Sequence, residues 1–180
     1  MATKIETERL ILRTIEMDDA KIISKLCNDK AIAATTLSIP HPYSLEDARK
    51  FIEVCVKDCD KIMVFTIILK STNEITGTIG LKIEQQYERA ELGYWVGKPY
   101  WNNGYCTEAT RAVLEYGFIQ LKLHRIYAFY TKGNEASGKI MRKLGMQYEG
   151  RLKDHIKKDG IFQDLELYAI LSTVYKEKFS

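Results

Sequence analysis

The sequence predicts an α/β (α+β) fold, with one mixed central sheet of about six to seven strands and helices on both faces. Strand-like apolar runs alternate with segments of helical periodicity, in the order β-α-α-β-β-β-α-β-α-β-β. The run at 125–131 lies between two helical segments, which favours a crossover connection and one parallel strand pair. Asp159-Gly160 separates the last two runs, as is typical of an antiparallel hairpin.

The N-terminal third is expected to form one strand and two helices. Residues 9–16, RLILRTIE, form the strand, and apolar residues recur at helical spacing across 17–29. A proline-interrupted loop at 36–44 leads into a helix over 44–59. Ser44 is a favourable N-cap for this helix, because Asp47 stands three residues later in the capping-box position.

The rest of the chain supplies the predicted sheet. Three strand-like runs at 62–69, 75–84 and 89–97 are joined by short turns, which indicates an antiparallel meander. A helix follows residue 104, and after the strand at 125–131 a short helix over 134–145 has Asn134 as its N-cap and Gly145 just past its end. The final segment, 146–171, forms the hairpin.

Composition excludes several classes of function. The chain of 180 residues is 46% apolar and 28% charged, which suits a single globular domain over 1–180. A net charge of +3 is too small to indicate nucleic-acid binding, and no apolar run is long enough to span a membrane. The four cysteines and three histidines lack metal-ligand spacing, so we expect no metal site and reduced thiols in a cytoplasmic protein.

The stretch YWNNGYCTEATRAVLEYGF, residues 100–118, places a small polar turn directly before a helix. The first turn of a helix carries unpaired N–H groups and partial positive charge, and Gly104 lets an anion approach closely. The segment is neither a P-loop nor a dinucleotide fingerprint. Taken alone, it indicates either a phosphate seat or a turn that needs glycine for its backbone angle.

Two further features favour a nucleotide-containing ligand without requiring one. Gly93 interrupts an otherwise strong strand, which indicates either a bulge or a backbone approached closely by a ligand. A strand that parts from its neighbour there could pair with an amide-containing ligand. The helix after Asn134 carries Lys139, Arg142 and Lys143, which form either a solvated face or a set of phosphate partners.

Together these stretches resemble the GNAT superfamily of acetyl-CoA-dependent N-acetyltransferases, in particular its RimJ/RimL-type branch. The likeness covers nearly the whole chain in the family's order: TERLILRTIEMDDA, GTIGL, AELGYWVGKPYWNNGYCTEATRAVLEYGF and HRIYAFYTKGNEASGKIMRKLGMQYEGRL. It implies the GNAT fold and acetyl-CoA as the donor. The pantetheine arm would lie along Tyr94, Trp95 and Val96. The diphosphate would sit on the backbone of Asn102, Asn103, Gly104, Tyr105, Cys106 and Thr107.

The resemblance also implies catalytic roles. Asn134 matches the family's asparagine that hydrogen-bonds the cofactor, and Ser137 matches a serine placed near the leaving thiolate. Many members carry a tyrosine seven residues after the asparagine, but Met141 stands there, so Ser137 or another tyrosine such as Tyr130 would serve as the acid. Glu91 matches the position of the base that helps the amine to lose its proton. No base follows Cys106 nearby, so it is not expected to carry the acetyl group.

The acceptor is expected to contact the loop at 37–44 and the turn at 84–91, where His41, Tyr43 and Glu84 are candidate contacts. The acceptor expected first is a protein or peptide N-terminal α-amine, including that of a ribosomal protein. A small amine such as a polyamine or an aminoglycoside, and a non-catalytic acyl-CoA-binding module, remain the alternatives. The sequence leaves open whether the protein is a monomer or a homodimer.

Overall fold

A computed structural model describes residues 3–179, and its centre is one mixed sheet of eight strands in the order β1-β2-β3-β4-β5-β6-β8-β7. Every neighbouring pair is antiparallel except β5 and β6. The strands are β1 (Lys4–Glu6), β2 (Leu10–Thr14), β3 (Ile62–Leu69), β4 (Ile75–Glu84), β5 (Arg89–Val96), β6 (Arg125–Thr131), β7 (Gln147–Lys158) and β8 (Ile161–Leu171).

Six α-helices flank this sheet and its connections: α1 (Ala20–Cys27), α2 (Lys30–Thr35), α3 (Leu45–Lys57), α4 (Tyr105–Ile119), α5 (Glu135–Lys143) and α6 (Ser172–Phe179). The capping box at the start of α3 is confirmed, since Ser44 and Asp47 bond each other's backbone N–H groups. Asn134 caps α5 by accepting from the Ser137 N–H. Gly145 follows α5 with φ of +84°, the left-handed geometry that glycine adopts without strain.

The mixed α/β fold is confirmed, but the predicted strand count of six to seven is too low. The additional strand, β1, has only three residues and pairs with the first predicted strand through Lys4 and Arg13. Helices α2 and α6 were also not predicted. Helix α2 has six residues, which is too few for a periodic signal, and its N-cap is Asp29, whose side chain accepts from the Ala31 N–H.

Two apolar clusters lie on opposite faces of the sheet, as strand alternation requires. In β3, Phe65 and Ile67 face the cluster beneath α4, whereas Val64 faces the cluster beneath α1 and α3. The same alternation in β5 sends Leu92 towards α4 and packs Trp95 against the α1–α3 side. Each face of β5 therefore belongs to a different layer of the protein.

The parallel pair of β5 and β6 is short. It runs only from Arg89 opposite Arg125 to Glu91 opposite Tyr127. Strand β5 nevertheless stays paired with β4 as far as Val96, and β6 stays paired with β8 as far as Thr131. The two strands therefore part after Glu91, as the sequence had suggested. Gly93 lies opposite Gly80 in continuous register, so it does not mark a bulge.

A partly buried ion pair anchors β2 to the α1–α3 side. The Asp19 side chain is 2% exposed and receives two hydrogen bonds from the Arg13 guanidinium, at 2.6 and 2.8 Å. Thr66 in β3 and the Glu16 N–H also donate to this carboxylate. Burial by itself would raise the pKa of Asp19, but these donors outweigh it and hold the pKa below its usual value.

We expect Asp19→Asn to destabilise the protein by about 3 kcal/mol, because it leaves the half-buried Arg13 charge without its partner. For a chain of this size, that corresponds to a fall in Tm of roughly 6–12 °C. Because the native pKa of Asp19 is lowered, its carboxylate stabilises the fold fully above about pH 4, where unfolded aspartate is ionised. The stabilisation is lost as pH falls through the native pKa. Thermal melts at pH 7 and in acid measure both effects. The neighbouring exposed Asp18→Asn is the control, expected within about 0.5 kcal/mol of the parent. Equal losses in the two variants would contradict the assigned role.

Candidate active site

A cavity of about 540 Å³ opens where β5 and β6 part. Its floor is β5 and its far wall is the start of α5, while α1, α3 and the loop after α2 close the other side. The volume falls within the usual range of small-molecule sites. The residues that border the gap are Glu91, Leu92, Gly93, Tyr94, Trp95, Phe129, Asn134, Ser137 and Met141.

The backbone of β5 offers unpaired groups to this gap. The Gly97 N–H donates to Thr76 of β4, while the Glu88 carbonyl accepts from the His124 N–H at the start of β6. Odd-numbered residues thus bond towards β4 and even-numbered ones towards β6. The Leu92 N–H closes the last parallel pair, at Glu91 and Tyr127, so the Leu92 carbonyl and the N–H and C=O groups of Tyr94 are the ones that point into the gap. Farther along, the Trp101 indole donates to the Val96 carbonyl at 2.6 Å.

Glu91 is the carboxylate at the point of parting. Its side chain is partly buried in the cavity wall, and burial raises its pKa, while Lys82 and His155 lower it in part. A raised pKa brings a carboxylate closer to the range in which it can take up and release protons near neutral pH. Glu91 shares a strand face with Gly93 and Trp95, since side chains alternate along β5.

Gly93 leaves open space beside Glu91. A Cβ built at this residue would meet no protein atom within 4 Å, and the backbone there is not left-handed. Neither packing nor backbone strain therefore explains the glycine. The structure thus removes the bulge interpretation and shows open space at Gly93 through which a ligand could approach the backbone.

The start of α5 forms a small polar group at the far wall. The Asn134 side chain donates to the Ser137 hydroxyl at 3.0 Å and to the Thr35 carbonyl at 2.7 Å. The Tyr94 hydroxyl reaches the Ser137 carbonyl at 3.4 Å across the gap. Burial raises the pKa of Tyr94 well above its ordinary value, so this hydroxyl keeps its proton.

Tyr130 does not lie in this cavity. A Cβ on Gly138 would meet the Tyr130 hydroxyl at 2.8 Å, and the Tyr130 ring packs against Tyr168 with centroids 5.9 Å apart. The structure therefore does not offer it as the acid that the sequence suggested. Met141 borders the cavity but is 1% exposed and carries no proton to give. The tyrosine hydroxyl that does reach the gap belongs to Tyr94, which the sequence implicated only as part of the strand.

The turn before α4 has the backbone form expected of an anion seat. Asn102 and Gly104 have φ of 62° and 78°, and no acceptor among residues 3–179 pairs with the N–H groups of residues 102–107. Alternating left-handed residues and free N–H groups form concavities that suit phosphate oxygens. The turn is braced from outside, because Arg9 donates to the Asn103 carbonyl and is itself held by Glu108.

The predicted phosphate-binding cations lie in different surroundings. Lys143 borders a second cavity together with Gly104, Thr107 and the unpredicted Arg111. Arg142 instead donates to the Tyr168 hydroxyl at 3.0 Å. Lys139 is exposed, and the described part of the chain shows no contact for its ammonium group.

The predicted acceptor residues also separate. Tyr43 is buried and borders the main cavity, whereas His41 is exposed and lies outside its walls. Both oxygens of Glu84 are engaged, by Arg89 and by Tyr127, and Glu84 does not border the cavity. The structure therefore places only Tyr43 of these three where a ligand in the cavity would touch it.

A family description, "Acetyltransferase (GNAT) domain", matches residues 9–147. The chain belongs to the GNAT family of N-acetyltransferases. The expected resemblance is thus confirmed, and the matched segment contains Glu91, the parted strands, the turn before α4 and the start of α5.

The curated relatives of this GNAT protein include an uncharacterized N-acetyltransferase, p20, of Bacillus licheniformis. It is 34% identical over 173 residues, which cover 94% of this chain and 96% of the relative. A spermidine N(1)-acetyltransferase of Escherichia coli (strain K12) is 25% identical over 142 residues, covering 78% of this chain and 74% of the relative. The relatives therefore agree on acetyl transfer to nitrogen and leave the acceptor of this chain open.

Solved structures show the same GNAT architecture. A GNAT-family acetyltransferase from Bacillus anthracis has a TM-score of 0.84 and 31% identity, covering 95% of this chain and 99% of that one. RimL, a ribosomal L7/L12 α-N-protein acetyltransferase in complex with coenzyme A, also has a TM-score of 0.84, at 20% identity and with 94% and 98% covered. At that identity the RimL likeness concerns the fold.

The described residues of this GNAT protein hold no cluster of metal-ligating side chains. Within residues 3–179, no helix is long and apolar enough to cross a membrane.

Sequence reasoning missed the apolar side of the cavity. Phe51 of α3, Ile23 of α1 and Ile62 of β3 border it, yet each belongs to an ordinary amphipathic pattern. Only the packing of distant elements shows that these side chains face a cavity. Phe129, which alternates with buried residues in β6, could have been assigned to the open face of that strand.

We expect iodoacetamide to distinguish the four thiols of the native protein. Cys59 is exposed, whereas burial raises the pKa of Cys27 and Cys106 to about 12 and that of Cys55 to about 11. Because the thiolate is the reactive form, labelling of these three at pH 8 should be at least about a hundredfold slower than labelling of Cys59. Mass spectrometry of timed samples measures the rates, and unfolding in guanidinium should make all four similar. Cys106 is only partly buried, so equally fast native labelling of this thiol would contradict the raised pKa assigned to it.

Proposed function

We propose that this GNAT protein transfers an acetyl group from acetyl-CoA directly to a primary amine, and that the first acceptor to test is a peptide N-terminal α-amine. The observation that carries this proposal is the position of Glu91. Its partly buried carboxylate stands where β5 and β6 part, beside the open space at Gly93 and the free backbone groups of the gap.

The residues around the gap fit acetyl-CoA. The backbone of β5 at Leu92 and Tyr94 would pair with the amides of the pantetheine arm, as an added strand does. The free N–H groups of residues 102–107 would hold the diphosphate at the start of α4. Lys143 and Arg111 would supply charge to phosphate oxygens near that turn. When bound, acetyl-CoA supplies an activated acyl carbonyl.

Glu91 would take up the proton that the amine must lose, directly or through a water. At pH 7 about 10% of an α-amine with a pKa near 8 is neutral, against about 0.04% of a lysine side chain. A general base therefore helps with either acceptor, and a lysine acceptor needs it more than an α-amine does. Because burial raises the pKa of Glu91, its carboxylate is a stronger base than an exposed glutamate and is better able to take the proton from the amine.

The departing thiolate needs little help, because a free thiol has a pKa of only about 8.5. Ser137 and Tyr94 each bring a hydroxyl group to the border of the gap. Either could donate a proton to the sulfur. We therefore assign a smaller rate effect to loss of Ser137 than to loss of Glu91. Asn134 would act by positioning Ser137 and the end of α5.

The experiment is a thiol-release assay with the purified protein, acetyl-CoA and a panel of amines that includes peptide N-termini, polyamines and aminoglycosides. Calorimetry with CoA alone measures cofactor binding separately. Binding without turnover of any amine would favour the alternative of a non-catalytic acyl-CoA-binding module. Absence of binding at millimolar CoA would overturn the proposal. The free cysteines are compatible with a reducing compartment, and we propose the cytoplasm.

We expect Glu91→Gln to lower kcat by at least about a hundredfold, because it removes the general base, while the Kd for CoA changes less than about threefold. In the parent, the acid limb of kcat/KM should lie above the ordinary glutamate pKa, since burial raises that of Glu91. Pre-steady-state and pH-rate measurements test both statements. The exposed Glu53→Gln on α3 is the control and should keep parent activity.

Glu91→Gln should lower activity but should not lower stability. Because the native pKa of Glu91 is raised, ionising this side chain lowers the free energy of unfolding. The loss is absent below the unfolded pKa of about 4.3 and grows as pH rises through the native pKa. Glu91→Gln should therefore melt at or above the parent Tm at pH 8, and the difference should vanish below about pH 4. A variant that loses activity together with several degrees of Tm would indicate a structural role for Glu91 instead.

A further inference from the structure

The main cavity continues beyond the β5–β6 gap into a recess between the sheet and helices α1 and α3. Its walls come from α1, α3, β3, β5 and the segment that runs from the last residue of α2 into the loop after it, which we call the roof loop (35–39). The apolar side chains that line this recess are Ile23, Leu37, Ile39, Phe51, Ile62, Val64 and Trp95.

Several of these side chains are not sealed by the protein. Ile39, Phe51, Ile62 and Trp95 pack on the buried α1–α3 cluster yet remain only partly buried themselves. They form the wall of a cavity that is continuous with the site of Glu91. An apolar group placed against them would remove this surface from water, which is favourable in proportion to the area covered.

Charge in the recess is scarce. Among the described residues that line the whole cavity, only Asp47 and Glu91 are acidic. Asp47 is committed to the α3 capping box, where it accepts from the Ser44 N–H and hydroxyl at 2.8 and 2.6 Å. Lys82 also borders the cavity and would repel a second cationic group. Glu91 is therefore the one carboxylate free to meet an amine.

The strand geometry places the amine and the recess side by side. Glu91, Gly93 and Trp95 share one face of β5, and successive members are about 6.7 Å apart along the strand. A nitrogen held at Glu91 can pass its substituent over the open space at Gly93 towards Trp95 and Phe51. The substituent would meet hydrocarbon within a few bonds of the nitrogen.

We infer that the acceptor of this enzyme is a primary amine with an apolar aliphatic or aromatic body, seated in the recess, and that polyamines are poor acceptors. This inference rests on the proposed acetyl transfer and adds the class of the acceptor. A polycation needs several separated carboxylates, whereas a single carboxylate beside an apolar wall suits one charge and one hydrophobic group. The body can be the first side chain of a peptide or the carbon skeleton of a free amine.

The roof loop is built to stay in place over this recess. The Lys158 ammonium donates to the Thr36 carbonyl at 2.6 Å and also bonds the Ala33 carbonyl, while Asn134 holds the Thr35 carbonyl. Burial lowers the pKa of Lys158, as expected for a lysine drawn into the protein to satisfy backbone oxygens. The recess thus has a wall tied to two other elements rather than a loosely attached loop.

The test compares two acceptors of equal length, hexylamine and 1,5-diaminopentane, in which a terminal methyl group is exchanged for an ammonium group. With acetyl-CoA saturating, we expect kcat/KM for hexylamine to exceed that for the diamine by at least about tenfold. Across propyl-, butyl-, pentyl- and hexylamine, kcat/KM should rise by about threefold to fourfold for each added methylene. 2-Phenylethylamine should be accepted well and spermidine poorly.

Two variants locate the effect. Phe51→Ala should flatten the chain-length series, and Ile39→Glu should move the preference towards the diamine by adding a carboxylate to the recess. Val54→Ala is the matched control, since Val54 lies on the same helix but is 48% exposed and outside the cavity. Circular-dichroism melts of all variants identify any loss that comes from unfolding, and Ile39→Glu remains informative if Phe51→Ala is unstable.

A second set of acceptors separates the two sources of the apolar body. Peptides that differ only at the first residue, leucine or phenylalanine against serine or aspartate, are compared with leucinamide. If kcat/KM is at least tenfold higher for peptides with an apolar first residue, the apolar body is the first side chain of a peptide. If leucinamide is used as well as those peptides, the apolar body is that of a free amine. Both outcomes support the inference.

The inference is overturned by a diamine or spermidine rate equal to or above that of hexylamine, or by indifference to chain length. Those outcomes would leave acetyl transfer itself standing. Failure of every amine to release CoA from a protein that binds CoA would instead overturn the proposed function, and the acceptor class with it.

Discussion

The separation of β5 from β6 after Glu91 is the constraint on which the site depends. Each strand keeps its other partner beyond that point, β5 to Val96 against β4 and β6 to Thr131 against β8. The gap therefore cannot close by local adjustment without breaking an intact ladder on one side. A helix follows each of the two separated strands. Strand β5 leads through the turn at residues 97–104 into α4, and β6 leads into α5. Two helix N-termini, with their unpaired N–H groups, consequently follow the two separated strands.

The separation of β5 from β6 also gives Glu91 the properties of a general base, and it does so at a cost in folding stability. A carboxylate in a fully paired strand facing α1 and α3 would be sealed against apolar groups and would either become neutral or destabilise the fold. At the end of the β5–β6 ladder, it borders a cavity and is only partly buried, so its pKa is raised and it remains able to exchange a proton. Asp19 is the contrasting case in the same protein. Its burial is compensated by Arg13, Thr66 and a backbone N–H, which lower its pKa and make it a structural group.

Local chemistry in the sequence was enough to predict most of the fold, because its rules act over a few residues. The Ser44–Asp47 capping box, the Asn134 cap and the parallel β5–β6 pair all appear in the structure. Two of the errors have the same physical origin: β1 has only three residues and α2 only six, so neither is long enough to show a periodic pattern. The roles of Ser137 and Asn134 came from family resemblance, not from spacing. The apolar recess could not be predicted, since Ile23, Phe51 and Ile62 come from three elements that meet only in the folded chain.

Hydrogen bonds connect the β5–β6 gap to the apolar recess, the two halves of the cavity. Asn134, at the start of α5, holds Ser137 beside the gap and at the same time holds the Thr35 carbonyl in the roof loop of the recess. Lys158 ties the next carbonyl of that loop to β7, at the far edge of the sheet. A helix as short as α2 has little stability of its own, so the placement of the roof loop depends on these donors. The shape of the acceptor recess is therefore set partly by residues of the donor side. A substitution at Asn134 must be read as a change to both halves rather than as the loss of one contact.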